Sequence, residues 1–337
     1  MRLNCLAASM LPLLAGNAAF SQAAEPIAPA AIVYDDLDRF SAAMRSVDSG
    51  AAPAESFEAY VASGTPVFPF YRDRYGATGE SIAAAVAKRP KHYRRVAALK
   101  PEVRKFEPAI ASGLAKLAQL MPGIDPPPIY FLVGNLTAGG IHAALTPQVG
   151  EHGTAPAVLL ETVAMAPETD MSEFPGSYGG AYLKDIPYVA IHEMVHAYQA
   201  RLMGMANYVS IFKPGPSSTY LSQAVREGCA DYVTLLATGS RRTGNQHSYG
   251  VAHEAELWAQ FKAVKDKPLS FDDGWFGRLD PATPDWPPQI GYWVGSRMCQ
   301  AYHEAATDKA AAMQEIFGAY LPEHMQKIAA PYARRFD

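Results

Sequence analysis

The sequence lacks a surplus of positive charge, and it lacks a second long apolar run. Its 29 lysines and arginines are outnumbered by 33 aspartates and glutamates, which gives a formal net charge of −4 at pH 7. This balance argues against a general basic surface of the kind that binds nucleic acid. Beyond the first residues, no segment is apolar for long enough to span a bilayer. No internal repeat is evident, and the composition is that of an ordinary globular protein.

The one apolar run at the start is typical of an export signal. Arg2 precedes an apolar stretch over residues 5–20, and the small-residue site Ser21-Gln22-Ala23 follows it. Asn4 precedes the stretch and Asn17 interrupts it, which argues against an uncleaved membrane anchor. We therefore expect a signal peptide over residues 1–23 that is cleaved near Ala23. The mature protein, residues 24–337, is expected to be soluble and secreted or periplasmic, without stable membrane insertion.

Cysteine is scarce, with three residues in the whole chain. Cys5 lies in the predicted signal peptide, which leaves Cys229 and Cys299 in the mature protein. In an oxidising compartment these two could form a disulfide. Two buried free thiols are the alternative, and the sequence alone does not decide between them.

The most informative motif is His192-Glu193-Met194-Val195-His196. On a helix, residues four apart share a face, so His192 and His196 can bind one metal ion. Glu193 points about 100° around the helix, where it can take a proton from a metal-activated water. Asp185 as N-cap and Pro187 in the first turn predict a helix from about 186 to 203. The motif is short, however, and can also arise by chance.

A catalytic zinc site usually has three protein ligands and an open fourth position. The best third candidate is Glu227, in a segment over about 218–238 that also has a helical pattern. Asp231 lies one turn later, where it could orient a ligand histidine. The alternative is a solvated acidic face. The other side of this segment is strongly apolar, so we expect the segment to be well packed and its carboxylates to be buried. Buried carboxylates need partners such as a metal or a histidine.

With these motifs the chain resembles the gluzincins, and more closely the bacterial group of predicted zinc-dependent proteases. The resemblance lies in the HExxH helix, in Glu-Gly-x-Ala-Asp-aromatic at 227–232 and in Gly-Tyr-x-x-Gly at 291–295. It extends more weakly to the helix at 35–44 and to Gly139-Gly140. Glu227 follows His196 by 31 positions, which is longer than the thermolysin pattern and leaves room for an inserted loop.

The resemblance implies that His192, His196 and Glu227 bind Zn²⁺ and that Glu193 is the catalytic base. Tyr292 is a further candidate catalytic residue, because a phenol near the zinc could donate a hydrogen bond to the developing oxyanion. Packing between helices is the alternative for Tyr292.

Other polar residues carry weaker hypotheses. His247 and His253 could each stabilise the transition state, although most of the remaining histidines are expected to be structural. Arg297 could bind a substrate carboxylate or pair with an acidic residue of the protein itself, and the second alternative is favoured.

The sequence predicts an α+β fold of the zincin-like type. A small mixed sheet and N-terminal helices would form one lobe and helices the C-terminal lobe, with the active-site helix between them in a single domain over 24–337. Two β-rich runs, 129–133 and 157–163, are expected to be neighbouring strands. By resemblance, 157–163 is the candidate edge strand that pairs with an extended substrate, and a core strand is the alternative. Helical patterns cover four earlier segments, 35–47, 54–63, 79–88 and 102–120.

The function expected from these observations is that of an exported zinc metallopeptidase acting on a peptide or protein substrate. A zinc hydrolase of another amide or an ester is a second hypothesis. A catalytically inactive, zincin-like peptide-binding protein is a third. Nucleic acid is not an expected partner, and the sequence does not indicate the oligomeric state.

Overall fold

The computed structural model describes residues 30–145, 153–166, 168–174, 181–210, 213, 215, 217–277 and 285–337. The predicted signal peptide lies outside these residues. None of the helices in the described ranges combines the length and the apolar character that crossing a bilayer requires.

Helices make up most of the described chain, and one sheet accompanies them. The helices are α1 (Asp35–Asp48), α2 (Pro53–Ala62), α3 (Phe68–Tyr75), α4 (Gly79–Lys88), α5 (Pro90–Ala97), α6 (Lys100–Arg104), α7 (Glu107–Leu120), α8 (Leu160–Val163), α9 (Ile186–Met203), α10 (Met205–Ser210), α11 (Tyr220–Thr238), α12 (Gln246–Ala252), α13 (Glu254–Lys262), α14 (Ile290–Ala305), α15 (Lys309–Gly318) and α16 (Pro322–Ala333). The strands are β1 (Ile32–Val33), β2 (Ile129–Leu132), β3 (Gly140–Ala144) and β4 (Thr154–Leu159).

The sheet is small and mixed, as expected for the α+β class. Its strand order is β1-β2-β4-β3. Strands β1, β2 and β4 run parallel, and β3 runs antiparallel to β4, with Ile141 opposite Ala157. All residues of β2 and β4 are buried. Such continuous burial fits their apolar sequences, because strands covered on both faces have no polar side.

The predicted edge strand at 157–163 is wrong. Strand β4 ends at Leu159, and residues 160–163 form the short helix α8. β4 also lies between β2 and β3, so the alternative of a core strand is the one that holds. The strand beyond β4, at the edge of the described sheet, is β3, which the sequence did not indicate. Gly140, His142, Ala143 and Ala144 lack the β-branched character that marks a strand.

The helix predicted at 186–203 is confirmed with the same bounds, and the one at 218–238 begins at Tyr220. The segment 102–120 is two helices, α6 and α7, that meet near Phe106. Helices α3 and α5 were not predicted. Both are short, and each has a proline in its first turn.

Helix α9 is central in the molecule. Fourteen of its eighteen residues are buried, so most of its surface is covered by other elements. It packs against β3 and β4 on one side and against α7 and α11 on others. A Cβ at Gly113 of α7 would lie 2.8 Å from Cγ1 of Ile191, so this glycine allows a close crossing. A helix that other elements cover on nearly every side is typical of a protein core.

Helices α11 and α14 cross with their backbones in contact. A Cβ at Gly228 would lie 2.2 Å from the backbone of Gly295, and a Cβ at Gly295 would lie 1.8 Å from the carbonyl oxygen of Ala224. Only glycine fits at such a crossing. Cys229 and Cys299 form a disulfide between the same two helices, with Cα atoms 5.3 Å apart.

Candidate metal centre

Three predicted ligands meet at one point between α9 and α11. Nε2 of His196 lies 3.1 Å from Nε2 of His192 and 3.1 Å from Oε2 of Glu227. The third side of this triangle, from Nε2 of His192 to Oε2 of Glu227, is 3.4 Å. All three residues are buried. A tetrahedral zinc ion bonded at 2.0–2.1 Å needs ligand atoms about 3.3–3.4 Å apart, so the triangle is of the right size.

Each histidine ring is oriented by a second side chain at its other nitrogen. Nδ1 of His192 lies 2.9 Å from Oδ1 of Asp231, a close contact although the N–H does not point straight at the oxygen. Nδ1 of His196 lies 2.8 Å from Oε1 of Gln199. The amide nitrogen of Gln199 donates to the carbonyl oxygen of Arg226, so its oxygen faces the ring and accepts a proton from Nδ1. Nε2 of His196 can therefore present a lone pair to the centre of the triangle. The carboxylates of Asp231 and Glu227 outweigh burial and raise the pKa of His192 to about 10, so a metal ion bound here would take the place of a proton on that ring.

Glu227 is kept ionised by its neighbours. Burial alone would raise the pKa of its carboxyl, but the Arg226 guanidinium and the two histidines outweigh burial and hold the pKa well below its usual range. Arg226 donates to Oε1 of Glu227 and also to Gln223 and Tyr208, at 2.9 Å and 2.8 Å. A buried carboxylate with such partners is a permanent anion.

Glu193 lies in the same cleft but outside the ligand triangle. Burial raises the pKa of its carboxyl. Strand β3 covers it closely, because a Cβ at Gly140 would lie 2.7 Å from Oε1 and Cγ of Glu193. His142, two residues along the same strand, has Nδ1 3.8 Å from Oε2 of Glu193. The ring of His142 also packs on Tyr208, with centroids 4.7 Å apart.

The triangle opens on a cleft of about 690 Å³. Tyr292 lines this cleft, and its ring stacks on His192 at a centroid distance of 6.3 Å. Tyr188 stacks on the same ring at 6.0 Å and donates a hydrogen bond to Asp231. The predicted position of Tyr292 beside the ligands is thus observed, and its part as an oxyanion donor stays a prediction.

The weaker candidates lie away from the cleft. His247 accepts a hydrogen bond from Trp293 at 3.3 Å, and His253 stacks on Tyr249 at the surface. Neither lines the cleft. Arg297 pairs with Glu254 at 2.8 Å, which is the internal acid that the sequence favoured.

Sequence reasoning missed His142, Gln199 and Arg226 as members of the site. Gln199 follows His196 by three positions on one helix face, and Arg226 adjoins Glu227, so both had a weak signal in their spacing. His142 had none beyond the Gly139-Gly140 pair before it, because it reaches the site through a strand that the sequence did not indicate.

Comparisons with models of protein families, with curated proteins and with solved structures gave no match to this chain. The resemblance to gluzincins therefore stays a prediction that rests on the motifs and on the geometry of the site.

Proposed function

We propose that this protein is a zinc-dependent metallopeptidase of gluzincin type with a zincin-like fold. The observation that carries the proposal is the triangle of His192, His196 and Glu227. Two imidazole nitrogens and one carboxylate oxygen, buried and 3.1–3.4 Å apart, have the spacing of ligand atoms around one tetrahedral ion. Two nitrogens and one carboxylate oxygen are a donor set that suits zinc.

Zn²⁺ held by these side chains would supply a water of lowered pKa, from about 15.7 toward about 7, and would polarise the carbonyl of the scissile bond. The chain supplies the rest. Glu193 accepts a proton from the attacking water and returns it to the leaving amine nitrogen. Its raised pKa suits both transfers near neutral pH. Tyr292 is the proposed hydrogen-bond donor to the oxyanion.

The position of β3 supports a peptide as the substrate. This strand lies at one end of the described sheet and against α9, and its residues Gly140 and His142 face Glu193. An extended peptide that pairs with β3 through backbone hydrogen bonds would have its main chain beside the ligand triangle.

The first test separates metal binding from catalysis. We expect Glu193→Gln to keep one zinc ion per chain and to lose hydrolysis by about 10²- to 10⁴-fold, because the amide cannot accept the proton. His196→Ala and Glu227→Ala should lose the metal. Zinc is measured by elemental analysis and activity with a peptide library. Glu323→Gln, on the exposed side of α16, is the control.

Full activity in Glu193→Gln with zinc retained would contradict this mechanism. Testing simple esters and other amides beside the peptide library separates peptide hydrolysis from the second hypothesis. Zinc binding together with peptide binding, but with no turnover of any of these, would favour the third.

A further inference from the structure

Three arginines line the metal cleft, and one of them, Arg226, is paired with Glu227. The other two are Arg74 and Arg242. Arg74 lies near the end of α3, and Arg242 follows α11. The acidic residues of the cleft already have partners: Glu227 is paired with Arg226, and Asp231 with His192 and Tyr188. Within the described ranges, no carboxylate lies within ion-pairing distance of either Arg74 or Arg242.

Arg242 is the better placed of the two. Arg74 is exposed and rests on the ring of Tyr75. Arg242 is half-buried, and its Nη1 donates a hydrogen bond of 2.5 Å to Oε1 of Gln289. Its charge acts on the phenols of Tyr188 and Tyr292, whose rings both stack on the ligand His192. Arg242 therefore lies beside the metal ligands, with one donor engaged by Gln289.

The residue that holds Arg242 has an unusual backbone. Gln289 has φ 60° and ψ 38°, in the left-handed region that favours glycine. Among the described non-glycine residues, Leu136 alone shares a positive φ, and it lines the opposite wall of the same cleft. Strained backbone of this kind persists where the surrounding structure enforces it, and it is concentrated at binding sites. The strain at Gln289 positions the amide that fixes the Arg242 guanidinium.

We propose that Arg242, positioned by Gln289, binds a carboxylate of the substrate, so that the cleft selects acidic peptides. This inference rests on the proposed peptidase function. A guanidinium forms two parallel hydrogen bonds to a carboxylate, and a partly dehydrated guanidinium without an acidic partner is suited to that use. The carboxylate belongs either to an acidic side chain or to the C-terminus of the peptide.

The experiment measures binding apart from catalysis. Zinc-loaded Glu193→Gln protein is incubated with paired peptide mixtures that differ only in one fixed Glu or Gln, each made as the C-terminal acid and as the amide. Peptides retained by the protein are quantified by mass spectrometry. We expect enrichment of at least about tenfold for peptides that carry the recognised carboxylate. Enrichment of Glu over Gln peptides would identify an acidic side chain, and enrichment of C-terminal acids over amides would identify the peptide C-terminus.

Arg242→Gln on the same background should abolish this enrichment while neutral peptides bind as before. Arg241→Gln is the matched control, because Arg241 is its exposed neighbour and does not line the metal cleft. In the active enzyme, Arg242→Gln should raise KM for acidic peptides by at least about tenfold with kcat little changed, as expected for lost uniform binding.

Equal retention of all arms, or equal effects of Arg242→Gln and Arg241→Gln, would overturn this inference. Hydrolysis without acidic preference would leave the proposed function standing and remove the inference. Retention of acidic peptides that depends on Arg242, in a protein whose wild type cleaves none of them, would support the carboxylate site and contradict the peptidase.

Discussion

The two candidate ligand histidines are contacted by different kinds of side chain. Asp231 was expected beside a ligand histidine, and it contacts His192. Gln199 performs the corresponding task for His196, and its own orientation depends on a backbone carbonyl of α11. An amide three positions after a histidine has no motif that marks it. The assignment needs the contact between two helices, which the sequence does not contain.

Gly140 offers a test of how closely β3 must approach the proposed base. A Cβ at this position would lie 2.7 Å from Oε1 of Glu193 and 2.8 Å from Cγ1 of Val189. We expect Gly140→Ala to displace Glu193 and to lower kcat/KM by at least about tenfold, since misplacing a catalytic group by about 1 Å can cost 10²-fold. Zinc content should stay at one ion per chain, because the added methyl group does not meet the ligand atoms.

Gly139→Ala is the matched control for this change. Its Cβ would lie 3.6 Å from the nearest side chain, that of Thr162, which is an ordinary van der Waals distance. Kinetics on one peptide and zinc analysis are carried out on both variants. Equal losses of activity in the two would show that the approach of Gly140 to Glu193 does not govern catalysis.

Helices were predicted better than strands, for reasons that can be read from particular segments. The bounds of α9 were predicted from Asp185, Pro187 and the absence of glycine and proline after Pro187 up to residue 200. Asp185 is at the N-cap position, but its carboxylate accepts from the backbone N–H of Tyr182 and does not cap the first turn. The run Ala157 to Val163 contains the strand-forming residues Val158, Thr162 and Val163, yet the chain turns into α8 at Leu160. That turn is tied to tertiary contacts of Glu161, whose carbonyl oxygen lies 2.7 Å from Nε2 of His92 on α5. Local propensity does not include such contacts.

The crossing of α11 and α14 gives a prediction about stability. Gly295→Ala would place a methyl carbon 1.8 Å from the carbonyl oxygen of Ala224, and backbone cannot move aside as a side chain can. We expect a loss of at least about 3 kcal/mol in the free energy of unfolding, the upper end of what overpacking costs. The measurement is urea unfolding without reductant, so that the disulfide stays intact.

Gly318→Ala is the control for this prediction. Gly318 also lies in a helix, the last turn of α15, and a Cβ there would meet no atom within 4 Å. Its replacement should leave stability unchanged or raise it slightly, because alanine favours helix. An unfolding midpoint for Gly295→Ala equal to that of Gly318→Ala would rule out a tight crossing.

For the molecule as a whole, the sequence predicted the fold class and most of the site. His192, Glu193 and His196 are local, so one helix fixes them. Glu227 and Asp231 could be inferred because a second helix repeats the same spacing. Arg242 with Gln289, and Gly140 with Glu193, join segments about 47 positions or more apart. Such pairs depend on how the elements pack, which periodicity alone does not determine.

A buried carboxyl outside the candidate ligand set makes stability depend on pH. Burial raises the pKa of Glu161 to about 7, although the backbone N–H groups of Gly134 and Leu136 partly offset this. Burial raises the pKa values of the nearby Tyr60 and Tyr71 phenols above their ordinary value, so both stay neutral near pH 7. Since the folded pKa exceeds the unfolded value of about 4.5, the contribution of Glu161 is full below pH 4.5 and is lost as pH rises through 7.

We therefore expect Glu161→Gln to lessen the fall in stability between pH 5 and pH 8. The difference from wild type is on the order of 3 kcal/mol at most, the equivalent of a shift from 4.5 to about 7. Urea unfolding at several pH values measures it, with Glu55→Gln on the exposed part of α2 as control. Parallel curves for wild type and Glu161→Gln would show that this carboxyl does not titrate in the folded protein.

The link between α11 and α14 also determines which wall of the cleft can move. Glu227 and Tyr292 lie on helices joined by a disulfide and a glycine crossing, so they form one stiff body. The facing wall, residues 134–139 and β3, is attached by hydrogen bonds such as that from Tyr93 to Gly134, at 2.9 Å. Under the proposed function, we therefore expect a bulky substrate to displace that wall before it displaces the α11–α14 pair. We expect Glu227 to keep its place relative to Tyr292 while the gap widens, because the disulfide and the glycine crossing hold their two helices together.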